Sequence, residues 1–233
     1  MSRHSVGRSE PRIGAFFDMD KTLIAENSGS LYMRHRMQLG EIGRMELLRG
    51  VGSYLQYKAG LLDIQSWVRN MSLEFRGQSE SELEAAAVRW VEAMVADQIY
   101  PEARELVSDH LARGHVVAIV SGATHYVVRP IAHCLGIEHT LYTRLEVVDG
   151  LFTGNVVEPV CFEEGKIYWL EKFIEEQGIS LAKSWFYTDS VTDLPLLDLV
   201  GHPVVTNPDH MLYRMARKRR WPVRFFTPPD TSP

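Results

Sequence analysis

The chain predicts an α/β protein, a doubly wound parallel sheet with a helical block inserted after its first strand. Three observations carry that reading. Short apolar, β-rich runs at Ile13–Phe17, Val116–Val120 and Trp185–Thr188 alternate with helical periodicities, as parallel strands with helices on both faces do. The stretch from about Ser28 to Ala96 has no proline and almost no strand signal. At about 70 residues it is too long for a connecting loop. Each of the three runs ends directly on polar residues: Asp18-Met-Asp20, Ser121-Gly122 and Asp189. Ligands of open α/β sheets bind at the carboxyl ends of strands, so these segments are expected to meet in one crevice.

Each element has a local reason. Within the helical block the spacing predicts helices over Ser30–Leu39, Ile42–Lys58, Asp63–Phe75 and Ser79–Ala96, with Gly40, Gly60 and Gly77 at their ends. Ser79-Glu-Ser81-Glu82 supplies an N-cap and early acidic residues for the last of these. Pro101 suits the first turn of a helix that Gly114 closes. Val116–Val120 is a buried strand ending at Ser121-Gly122, and Thr124–Leu135 a helix that Pro130 is expected to kink or break. Thr140–Arg144 reads as a strand, and Leu145–Val160 as a hairpin about Asp149-Gly150. Then follow a helix over Glu163–Gln177, the strand Trp185–Thr188, a short helix Leu194–Leu199, Val204–Val205, a helix from Asp209 and a late strand Val223–Phe226. The expected organisation is a tail over 1–10, a core over 11–26 and 97–233, and a helical cap over 27–96.

Composition narrows the class. At 233 residues, 45% hydrophobic and 24% charged, the chain can hold one large domain with an insert. A net charge of −5 gives no general attraction to nucleic acid, and none is expected as a partner. The basic run Arg214, Arg217, Lys218, Arg219 and Arg220 reads as the solvated last turn of a helix. Cys134 and Cys161 have no metal-type spacing and imply no disulfide framework, which suits a reducing compartment. No apolar stretch approaches the ~20 residues of a membrane span, and the charged N-terminal segment lacks the apolar middle of a secretion signal. A cytoplasmic protein without a membrane partner is the expectation.

The chemistry begins at Asp18 and Asp20. Two carboxylates at ~4 Å and an effective dielectric near 20 repel by ~4 kcal/mol. A hard divalent cation with oxygen ligands offsets such a cost, so the pair reads as a magnesium-assisted centre. Lys166 stands near the start of a helix, where the dipole does not favour a cation, and so invites a specific role. His125, His133 and His139 show no ligand pattern and read as packing residues. Trp67, Trp90, Met71 and Met94 read as the apolar interior of the helical block.

In order, the chain carries Asp-x-Asp-x-Thr, Ser-Gly, Lys and Asp-x-x-x-Asp. This resembles the haloacid-dehalogenase-like superfamily, and the helical insert after the first motif resembles its phosphoserine-phosphatase-like branch, subclass IB. The resemblance implies a Rossmann-like core with a C1-type helical cap. It also implies a Mg²⁺-dependent phosphatase, a phosphomonoester hydrolase acting through an aspartyl-phosphate on a small phosphoserine-like metabolite, with phosphoserine the leading candidate and histidinol phosphate or headgroup phosphates behind it. Under it Asp18 is the nucleophile and Asp20 the general acid and base. Asp18, the backbone carbonyl of Asp20 and Asp189 hold the metal. Ser121, Gly122 and Lys166 bind the phosphate, Asp193 orients Lys166, and Thr22 braces the loop. The chain departs from the branch at Thr188, where a glycine is usual, and at Thr192, where an asparagine assists phosphate binding. Near the branch's substrate-reading glutamate stand both Glu26 and Asn27. Arg34, Arg36, Arg49 and Arg69 are candidate readers of a substrate carboxylate. Two other readings share the first motif: a phosphotransferase, and a signalling or binding module phosphorylated on aspartate.

Overall fold

The computed structural model describes residues 10–43, 45, 52, 56 and 63–229. In chain order the elements are β1 (Gly14–Phe17), α1 (Ser28–Gln38), α2 (Ile64–Ser72), α3 (Glu80–Trp90), α4 (Pro101–Ala112), β2 (Val116–Thr124), α5 (His125–Leu135), β3 (His139–Val148), β4 (Leu151–Val157), α6 (Glu164–Gln177), β5 (Trp185–Thr188), α7 (Leu194–Leu199), β6 (His202–Thr206), α8 (His210–Arg219) and β7 (Val223–Arg224). The strands form one sheet of order β4-β3-β2-β1-β5-β6-β7, parallel except for the β3–β4 hairpin.

β1 is central, and its register explains where the chemistry collects. Phe17 lies opposite Ile119 of β2 and Tyr187 of β5. The residues that follow, Asp18, Ser121 and Asp189, therefore emerge together at one end of the sheet. Alternating side chains feed two apolar layers. Ala15, Phe17, Val117 and Ile119 pack on one face with α4 and α5; Phe16, Val116, Ala118, Val120 and Phe186 pack on the other with α6, α7 and α8. Each fully buried phenylalanine contributes about 2–3 kcal/mol by burial, which anchors the strands that carry the site.

The helical segment leaves and returns through adjacent connections. Ala25 N–H donates to the Gln98 carbonyl at 2.8 Å and Tyr100 N–H to the Leu23 carbonyl at 3.0 Å. The β3–β4 hairpin holds the far side of that segment. Ser72 Oγ donates to the Gly154 carbonyl at 2.6 Å, Gly77 N–H to Phe152, and Phe152 N–H to Gln78. Asp149 (φ 52°) and Gly150 (φ 76°) supply the two left-handed residues of the tight turn.

Several local expectations need correction. β2 does not stop before Ser121-Gly122 but runs to Thr124, its register against β3 shifting between Val120 and Thr124. α5 runs unbroken past Pro130: the ring removes one backbone N–H from the helix, but Tyr126, Val128, Ile131, Ala132 and Leu135 bury the helix face. Thr140–Arg144 and the first hairpin arm are one strand, β3, and the last strand is only Val223–Arg224. The helix expected over Ile42–Lys58 falls almost entirely outside the described residues, as do Arg49 and Gly60. The basic run ends α8, with Arg219 paired to Asp198 and stacked on Trp221 at 4.8 Å.

Candidate active site

The Asp18–Ile24 loop is folded on one carbonyl. Met19 O accepts from the N–H groups of Thr22, Leu23 and Ile24 at 3.3, 2.8 and 3.1 Å. That turn forces Lys21 into the left-handed region (φ 59°), where a non-glycine residue is strained. Asp18 N–H donates to the Tyr187 carbonyl at 2.9 Å, fixing the loop to β5. Asp20 faces the first turn of α1: its Oδ1 accepts from Ser28 N–H at 3.0 Å, and its Oδ2 from Asn27 Nδ2 at 2.9 Å and Ser28 Oγ at 3.1 Å. Burial, and then the neighbouring Asp18 charge, push the Asp20 carboxyl up to about 7 despite the opposing Ser28 bonds.

Lys166 is buried and joins two motifs. Its Nζ donates to Asp18 Oδ1 at 2.8 Å and to Asp193 Oδ2 at 2.9 Å. Burial alone would lower its pKa, but the two carboxylates outweigh burial and hold it raised and charged. The same Asp193 oxygen accepts from Thr188 Oγ1 at 2.7 Å, and Thr188 Oγ1 accepts from Ser190 N–H at 3.1 Å. The threonine in place of glycine is thus a brace for Asp193. Close packing seats the start of α6: a Cβ on Gly165 would lie 1.8 Å from the Val160 carbonyl oxygen.

Ser121 is buried in β2, its Oγ accepting from Ala123 N–H at 3.2 Å. Gly122 lies against the Phe162 ring, which a Cβ would meet at 2.3 Å. Asp189 is buried, and its carbonyl accepts from Asp209 N–H at 2.9 Å; Asp209 in turn accepts from Val191 N–H and caps α8 at Leu212 N–H. Thr192 Oγ1 lies 3.0 Å from Ser190 Oγ.

One cavity of about 670 Å³ is lined by Asp18, Asp20, Ser121, Gly122, Lys166, Asp189, Thr192 and Asp193. Thr22 is not among its lining residues; it is buried beneath, 3.5 Å from Thr206 Oγ1. Glu26 also stays off the cavity lining and pairs with Arg34, whereas Asn27 lines the cavity. Arg69 pairs with Glu158. Trp67, Met71 and Trp90 line the cavity rather than only filling the helical interior, while Met94 packs on the core. Sequence reasoning missed the grip of Asn27 and Ser28 on Asp20. The N-cap signal Asn-Ser-Gly-Ser directly after the loop was the available clue.

The donor set can be weighed for a metal. Among the described residues no group of three or more His, Cys, Asp or Glu side chains is placed to cage one. Asp18 and Asp189, both buried and both lining the cavity, would offer with a backbone carbonyl the kind of all-oxygen set magnesium prefers. Burial pushes the Asp18 carboxyl up against the pull of Lys166, so a further positive charge would be welcome there.

The profile of the haloacid dehalogenase-like hydrolases matches residues 15–198. The chain belongs to that family. Among relatives of this hydrolase, a histidinol-phosphatase of Neisseria meningitidis is 32% identical, over 91% of this chain and 98% of that protein. A solved structure of a Bordetella pertussis protein of unknown function is 30% identical, covering 92% of this chain and 98% of that one at a TM-score of 0.83. A phosphoserine phosphatase solved as a phospho-aspartyl intermediate analogue is 23% identical over 94% and 95% of the two chains, TM-score 0.66, and shares the hydrolase's fold. Among the described residues no helix is long and apolar enough to cross a membrane.

Proposed function

We propose that this hydrolase is a magnesium-dependent phosphomonoesterase acting on a small phosphorylated metabolite through an aspartyl-phosphate on Asp18. The observation that carries the reading is Lys166, bonded to Asp18 at 2.8 Å and to Asp193 at 2.9 Å inside the cavity that Asp20, Ser121 and Asp189 also line. The Asp18 carboxylate attacks phosphorus, and the bond to the ester oxygen breaks. Asp20, protonated near neutrality, gives its proton to the departing alcohol and then takes one from the water that hydrolyses the acyl phosphate. Lys166, Ser121 Oγ and Gly122 N–H donate to the transferring phosphoryl oxygens, and such preorganised charge supplies most of phosphoryl-transfer catalysis. Asp18, the Asp20 carbonyl and Asp189 would hold magnesium, which would supply neutralisation of the phosphate charge. The helices between β1 and α4, read as a cap over 27–96, shield the reaction from water.

Asp18→Asn is expected to reduce p-nitrophenyl phosphate turnover about a thousand-fold or more while the fold persists by circular dichroism. Retention of most activity would sink the proposal, and removal of Mg²⁺ by chelation should silence the wild type reversibly.

A further inference from the structure

A second cavity, of about 920 Å³, opens at the β3 side of the sheet between α5 and α6. β4 pairs with β3 only from Arg144 onward, so no strand covers His139–Thr143 on that side. Thr143 and Leu145 of β3 line the catalytic cavity, whereas Tyr142 and Arg144 line this one. Successive side chains of a strand point to opposite faces, so β3 stands between the two spaces.

Arg129, Arg144 and Lys172 line the second cavity and share two aromatic rings. Arg129 Nη2 donates to the Tyr142 hydroxyl at 3.0 Å, and its guanidinium carbon lies 5.6 Å from that ring's centre. The Arg144 guanidinium lies 5.5 Å from the centre of the same ring and 4.6 Å from that of Trp169, with Lys172 Nζ 5.5 Å from the latter. Trp169 is itself fixed, its Nε1 donating to the Pro159 carbonyl at 2.7 Å. Ring faces attract cations, and here they gather three against their mutual repulsion. What the cluster lacks is an acid. Elsewhere Arg34, Arg36, Arg69 and Arg219 each pair with a carboxylate. Among the described residues none pairs with Arg129, Arg144 or Lys172, although Glu138 and Glu176 line the same cavity and leave it net positive.

We infer that this cavity binds a small anion carrying two or more linked phosphate groups, held by Arg129, Arg144 and Lys172. Its volume suits a small molecule. The guanidinium forks match phosphate oxygens two at a time, and cations spread over two rings call for several charges along one ligand. An inorganic phosphate chain and a nucleoside polyphosphate share that chemistry. The inference does not depend on the phosphatase reading.

The test is titration calorimetry of the full chain, free of divalent cations, with tripolyphosphate, ADP, inorganic phosphate and citrate. Tripolyphosphate or ADP is expected to bind about ten-fold or more tightly than inorganic phosphate or citrate. Tighter binding of ADP assigns a nucleotide, and tighter binding of tripolyphosphate an inorganic chain. The double variant Arg129→Gln, Arg144→Gln is expected to weaken that binding by about ten-fold or more. Lys172→Gln, a change confined to one exposed side chain, is expected to weaken it about three-fold and tests the same point should the double variant fail to fold. Asp18→Asn is expected to leave it within about two-fold. Citrate binding as tightly as tripolyphosphate overturns the phosphate assignment. Loss of binding in Asp18→Asn with retention in the cavity variants would put the anion in the catalytic cavity and overturn the inference, as would a Kd weaker than about 1 mM for every anion.

Discussion

Lys166 sits between the buried carboxylates of Asp18 and Asp193, and Thr188 supplies a further donor to the second of them. Removing that hydroxyl leaves a buried anion short of a bond. Thr188→Val is therefore expected to cost about 1–2 kcal/mol, read by urea denaturation, and Thr188→Ser to restore most of it. Equal stability of the valine and serine variants would contradict the brace. Lys166 could be found in the sequence because a cation in the first turn of a helix runs against the dipole. Thr188 was visible only as a departure from glycine, its purpose unstated. Asn27 and Ser28 announced a helix start in the sequence, but not that Asp20 would be their partner. They meet Asp20 only because the intervening loop closes on the Met19 carbonyl with Lys21 left-handed, and no periodicity reports such a turn.

At the scale of elements, α6 delivers Lys166 because its first turn lies directly on the Val160 carbonyl. Gly165→Ala pushes a methyl group into that oxygen, 1.8 Å away, with backbone on both sides. The helix start must shift, so the variant is expected to lose about 1–3 kcal/mol of stability and about ten-fold or more in kcat, measured by thermal melting and p-nitrophenyl phosphate turnover. A wild-type kcat would show that Lys166 tolerates the displacement. The elements readable from sequence were those with a strong period and a marked end. Trp185–Thr188 begins and ends as expected, and α4 begins at Pro101. Those misjudged were decided by partners distant in the chain. β2 continues past Ser121 along β3, and α5 survives Pro130 because its buried face outweighs one lost hydrogen bond. The hairpin turn was legible at Asp149-Gly150, but its bonds to Ser72, Gly77 and Gln78 depend on tertiary folding alone.

Across the whole molecule, acid sensitivity should originate away from the cavity. His110 is buried under the sheet, its Nδ1 2.8 Å from His115 Nδ1 and its Nε2 2.8 Å from the Tyr187 hydroxyl. Two ring nitrogens that close need one proton between them, so both rings cannot be charged. Burial first, and then the His115 and Arg113 charges, lower the His110 pKa to about 4. In the unfolded chain the same ring takes its proton near ~6.5. The unfolded state thus binds more protons between those values, and the stabilisation, complete above ~6.5, is lost as pH falls toward about 4, amounting to about 1–3 kcal/mol. Urea denaturation from pH 7 to 4 should show that slope, and His110→Gln should flatten it; parallel slopes would assign the loss to other groups. Asn27 has a wider consequence. The same side chain opens α1 through Ser30 and donates to Asp20. A swing of α1 that admitted an ester would strip the carboxylate of its amide and hydroxyl donors, strengthening its hold on a proton. Return of α1 once the alcohol has gone would then hold Asp20 ionised, ready for the incoming water.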